Sequence, residues 1–75
     1  MILIEIELDE SKFPQRLKDL IAEMIELDKK DDWLNYSFCA ENLELLGKLD
    51  LQAKRISSYE YDRMCLKYCG VPVSD

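Results

Sequence analysis

Met1-Ile2-Leu3-Ile4-Glu5-Ile6-Glu7-Leu8 opens the chain, and how it is read decides the fold. Ile2, Ile4, Ile6 and Leu8 alternate with Leu3, Glu5 and Glu7, the two-residue period of a strand with one buried face. The β-branched isoleucines favour the same backbone. A strand alone leaves a row of N–H and C=O groups without partners. Inside the chain the candidates are residues 71–73, which contain Pro72, and residues 49–53 if a helix breaks at Gly47. Outside it, the partner is the same strand of a second copy or a sheet edge on another protein. The expectation is pairing between copies, with Ile2, Ile4 and Ile6 covering the helices while Leu3, Glu5 and Glu7 face outward.

Beyond the strand the pattern turns helical. Pro14 suits a first helical turn, with Asp9 or Ser11 as the cap. Phe13, Leu17, Leu20, Ile21, Met24, Ile25 and Leu27 share one face, which predicts a first helix over residues 12–28. Arg16, Asp19, Glu23, Glu26 and Lys30 lie opposite, with Glu26 and Lys30 spaced as an i,i+4 pair. A charged turn, Asp28-Lys29-Lys30-Asp31-Asp32, leads to a helix over residues 33–55, capped by Asp31 or Asp32. That second helix is apolar nearly all round: Leu34, Phe38, Leu45 and Leu49 form one stripe, Cys39 and Leu46 another, and Trp33, Tyr36, Ala40 and Leu43 a third. Such a helix is expected to be packed on most sides, at the centre of the fold. Gly47 inside it marks close packing, a kink or an end.

Ser57-Ser58-Tyr59-Glu60 is a capping box, and Gly70 stands where a left-handed C′ residue belongs. A third helix over residues 58–69 follows, with Tyr61, Met64, Cys65 and Tyr68 inward. The opening Ile56-Ser57-Ser58-Tyr59-Glu60-Tyr61 resembles helix openings in many small bacterial and phage domains, which implies no activity. The expected architecture is therefore α+β, mostly α: a β-α-α-α order in one domain over residues 1–75.

Composition narrows the function classes. The chain has 75 residues, 48% of them apolar, enough for a core near the lower size limit of a self-sufficient domain. A net charge of −6 argues against direct contact with nucleic-acid backbone and suits docking on a basic surface. No apolar run reaches membrane-spanning length, and no basic region precedes the N-terminal apolar segment. A cytoplasmic protein is expected. There is no histidine, the commonest general base and metal ligand. Cys39, Cys65 and Cys69 read as reduced thiols. Cys65 and Cys69, one turn apart at a helix C-terminus, make a poor zinc or redox pair.

No catalytic constellation, cofactor motif or metal set is expected, so the chain reads as a non-enzyme. Its features point to contact with another protein. Tyr59, Arg63 and Leu66 lie on the side of the third helix away from its inner stripe, and Tyr and Arg are enriched among interface hot spots. With Leu3, Glu5 and Glu7 on the strand they are the candidate partner-binding residues. Asp19, Glu23 and Glu26 form a candidate acidic face, able to meet a basic groove or to imitate a phosphate backbone. The first expectation is a small acidic inhibitor or adaptor. In size and charge it resembles phage-type inhibitors of host factors, a likeness of class rather than of residues. The alternatives are a homodimeric assembly protein joined through the strand and a nucleic-acid mimic.

Overall fold

Apolar residues recur every three or four positions through most of the chain, and helices form where they do. The computed structural model describes residues 2–70 as three helices: α1 (Gln15–Lys29), α2 (Trp33–Gln52) and α3 (Ser58–Cys69). There is no strand among the described residues. The expected β-α-α-α order is thereby corrected to a small three-helix arrangement. The candidate partner at residues 71–73 lies outside the described residues.

The N-terminal segment fails to be a strand because its backbone finds partners on α3. Leu3 N–H donates to the Lys67 carbonyl at 2.8 Å. Lys67 lies in the last turn of α3, where carbonyls have no partner within the helix. Ile6 N–H then folds back to the Leu3 carbonyl at 3.1 Å, making a turn. Farther on, Arg63 donates through Nε and Nη2 to the Glu7 carbonyl at 3.2 and 3.0 Å. The turn interrupts the alternation at Ile4, while Ile6 stays half-buried and Glu5 and Glu7 exposed. Ile2 and Leu8 pack against the core, Leu3 is half-buried, and Ile4, expected inward, is 85% exposed. With no strand in residues 2–8, strand pairing between copies falls away, and so does a dimer built on it.

α1 starts three residues later than its pattern predicts. Pro14 is the N-cap residue, and its carbonyl accepts from the N–H groups of Leu17 and Lys18. Proline costs nothing there, since an N–H at the head of a helix has no partner anyway. Neither Asp9 nor Ser11 caps α1. Instead the Ser11 N–H and hydroxyl both donate to Asp9 Oδ1, at 3.0 and 2.6 Å, and these bonds hold the Asp9 carboxyl below its usual range. Glu26 pairs with Lys29 at 3.4 Å rather than with Lys30.

The chain turns between α1 and α2 through Asp31 in the left-handed region (φ 55°), and Asp32 caps α2 by accepting from Asn35 N–H. α2 continues unbroken through Gly47, so the alternative strand at residues 49–53 does not form. The capping box on α3 is present in both directions, Ser57 N–H to Glu60 at 2.8 Å and Glu60 N–H to Ser57 at 3.1 Å. Gly70 ends α3 at φ 72°, and its N–H reaches the Cys65 carbonyl.

α2 packs on both α1 and α3. Leu17 and Met24 of α1, Leu43 of α2, and Met64 and Cys65 of α3 are fully enclosed between them, with Phe13, Ile21, Tyr36, Ile56, Tyr61 and Tyr68 around them. Asp50 is the buried charge in this core: Arg16 and Arg55 both donate to its Oδ1, at 2.7 and 2.9 Å.

Candidate functional site

Only one side of α2 is covered. Tyr36, Cys39, Leu43, Gly47 and Asp50 face inward and are buried. Leu34, Phe38, Leu45 and Leu49 face outward and are between 47% and 69% exposed. This corrects the expectation that α2 is packed on most sides: two helices and a short N-terminal segment do not reach around it. At 100° per residue the four outward residues fall within an arc of about 60°, so they form one strip along the helix. Ser37, Glu41, Asn42 and Lys48, all exposed, border it. Trp33, in the third stripe of α2 and expected to be packed, is also substantially exposed and sets its ring edge-on to Tyr36 at 5.6 Å.

The strip is rigidly presented. Asp32 fixes the start of α2, and at the other end the two arginines on Asp50 tie its last turn to α1 and to the loop before α3. Tyr36, on the opposite side of the helix, donates its hydroxyl to the Tyr68 carbonyl of α3. Each of these anchors lies behind the outward residues, leaving their side chains free.

The residues singled out for partner binding are brought together only in part. Tyr59 is exposed on α3 with the Arg63 guanidinium 5.6 Å from its ring centroid. Arg63 is committed to the Glu7 carbonyl, so it anchors the N-terminal segment. Glu7, Leu8, Asp9, Ser57, Tyr59 and Glu60 border an open groove of about 510 Å³. Glu5 is exposed, whereas Leu3 and Leu66 are half-buried. On α1, Asp19, Glu23 and Glu26 are exposed, with Asp19 bonded by Gln15 at 2.8 Å and Glu26 by Lys29.

Cys39 and Cys65 are buried, and Cys69 is half-buried with its Sγ 3.6 Å from the Ala40 carbonyl. Burial pushes the Cys39 thiol up; the Cys65 hydrogen bond, then burial, push Cys69 up. Among the described residues no three metal-ligating side chains come together. No helix is long and apolar enough to cross a membrane among those residues. No family model, curated protein or solved structure matches the chain.

The outward strip of α2 is the surface that sequence reasoning missed as a contact site. The stripe itself stands in the sequence, but its exposure is set by how far α1 and α3 reach around α2 in the fold.

Proposed function

We propose that this is a small acidic, non-catalytic binding module of the inhibitor or adaptor class, working in the cytoplasm by docking on another protein chain. The observation that carries the reading is the outward strip Leu34, Phe38, Leu45 and Leu49 on a helix otherwise anchored to the core. Contiguous apolar surface with a polar border is what a protein contact needs, and it costs a free monomer solubility. A helix that presents residues at i, i+4, i+11 and i+15 suits a matching helix or helix-wide apolar groove on the partner. The border of the strip, with Glu41 and Lys48, is mixed in sign, so a contact there does not require a basic partner despite the net charge of −6.

The test places a photoreactive residue at position 45, with a control at Asp62 on the exposed side of α3. Illumination is expected to join position 45 to a protein chain identified by mass spectrometry and to leave the Asp62 control free. Adducts lost when Phe38→Glu is added show that the strip is the contact. Equal labelling at both positions rejects it.

A further inference from the structure

The strip on α2 has an internal symmetry that names its partner. Two ridges with four-residue spacing run along it, Leu34–Phe38–Asn42 and Glu41–Leu45–Leu49. Reflected about the midpoint between Glu41 and Asn42, Leu34 exchanges with Leu49, Phe38 with Leu45, and Asn42 with Glu41. Ridges of this spacing pack into each other's grooves at a crossing angle of about −50°, the commonest geometry between helices in globular proteins. A surface that maps onto itself in this way is what a two-fold contact between identical chains requires.

We infer that the chain docked on α2 is a second copy of this protein, its α2 antiparallel to the first and the two-fold axis passing between Glu41 and Asn42. This inference rests on the reading of α2 as a docking face and adds the occupant. Leu34 then meets Leu49 of the other copy at each end, and Phe38 meets Leu45 nearer the centre. Scaled by exposure, the four side chains present roughly 450 Å² per copy, taking about 200 Å² for each when fully open. That is a little over half of the roughly 800 Å² per partner in a standard interface, the apolar share such interfaces carry. The polar border supplies the rest.

The same two-fold sets like against like at the border. Glu41 faces Glu41 on one side of the crossing, and Asn42 faces Asn42 on the other. The asparagines can bond to each other, whereas the glutamates repel. The geometry therefore fixes a charge rule that a contact with an unrelated protein has no reason to obey.

Sedimentation equilibrium and native mass spectrometry on the full chain test it. The wild type is expected to be a dimer, Phe38→Glu and Leu45→Glu monomers with unchanged helical circular dichroism, and Ile4→Glu, an exposed site off α2, a dimer. Glu41→Gln is expected to tighten the dimer severalfold, most at low salt. Glu41→Lys mixed with wild type is expected to give heterodimers above the roughly one half that random exchange provides. A wild type that stays monomeric at high concentration overturns the inference, as does a dimer indifferent to Phe38→Glu or a mixture without heterodimer excess. If the wild type is monomeric while position 45 still crosslinks to a different protein, the docking reading survives and only the second copy is lost. If it crosslinks to nothing, both fall.

Discussion

Arg16 donates to Asp50 across 2.7 Å, joining the first turn of α1 to the last turn of α2. Asp50 is completely buried, while the Arg16 side chain is about half exposed, so the carboxylate depends on the pair far more than the guanidinium does. Arg55 donates to the same oxygen, at 2.9 Å from the loop after α2. Each arginine thus backs up the other, and their removal should not be additive. Arg16→Ala or Arg55→Ala alone is expected to cost about 1 kcal/mol, since one charge-assisted bond remains and the lost one is partly screened by water. The double variant leaves a buried carboxylate without a cation, a situation that costs about 3–5 kcal/mol. Urea denaturation of the four species measures the coupling. A double-variant cost equal to the sum of the singles shows that the arginines act independently.

A β-carbon placed on Gly47 would lie 2.5 Å from the Met64 Cε and 3.0 Å from the Tyr61 ring. α2 and α3 therefore approach closely at this glycine, which is helical and pays about 1 kcal/mol against alanine for its backbone freedom. The nearest atom is the tip of a flexible methionine, but Met64 is fully buried and has little room to retreat. Gly47→Ala is expected to fall within about 1 kcal/mol of the wild type, the helix gain offsetting the crowding. Gly47→Leu, with no such offset and a side chain driven into both neighbours, is expected to lose at least about 2 kcal/mol. Thermal and urea midpoints distinguish the two. A tolerated leucine shows that the α2–α3 contact opens readily at this point.

Local signals were legible in the sequence, and non-local ones were not. The capping box at Ser57 and Glu60, the Asp32 cap and the inner stripe Tyr61, Met64, Cys65 and Tyr68 follow rules that act within four residues. Residues 2–8 show why such rules stop short. Alternation of apolar residues says that one side is covered, but helices cover a side as well as a sheet does. What decided the matter was the free carbonyl of Lys67, sixty-odd positions away in the chain from Leu3. Asp50 was masked in the same way, since a charge in a polar-apolar alternation reads as surface until Arg16 and Arg55 are placed beside it. The outward strip of α2 was legible as a stripe but not as exposed, because the covering power of α1 and α3 is a property of the whole fold.

Tyr36, Tyr61 and Tyr68 link the helices through their hydroxyls. Tyr36 donates to the Tyr68 carbonyl, Tyr68 donates to the Glu10 carboxylate, and Tyr61 reaches the Glu44 carbonyl at 3.4 Å. Burial raises all three above the ordinary tyrosine value, taking Tyr61 up to about 12, and the hydrogen bond to Glu10, then the Glu10 charge, raises Tyr68 further. An unfolded tyrosine loses its proton near pH 10, so between that pH and the folded values the folded chain holds more protons than the unfolded one. Stability from these groups is thus fully present below about pH 10; the Tyr61 contribution is lost as the pH rises through about 12, and those of Tyr36 and Tyr68, raised further, are lost later. Measured on Tyr59→Phe, so that the exposed tyrosine adds no signal, the expected behaviour is a cooperative loss of helical circular dichroism above about pH 10, with tyrosinate absorbance rising in the same transition. Tyr36→Phe removes one of these titrations. It is expected to cost about 1 kcal/mol at neutral pH, where the Tyr68 carbonyl loses its donor, and to move the alkaline transition upward. In Tyr59→Phe, which lacks the exposed fourth tyrosine, tyrosinate absorbance that appears near pH 10 while the helices stay intact would mean that the three hydroxyls meet water directly, against the burial that places them between the helices.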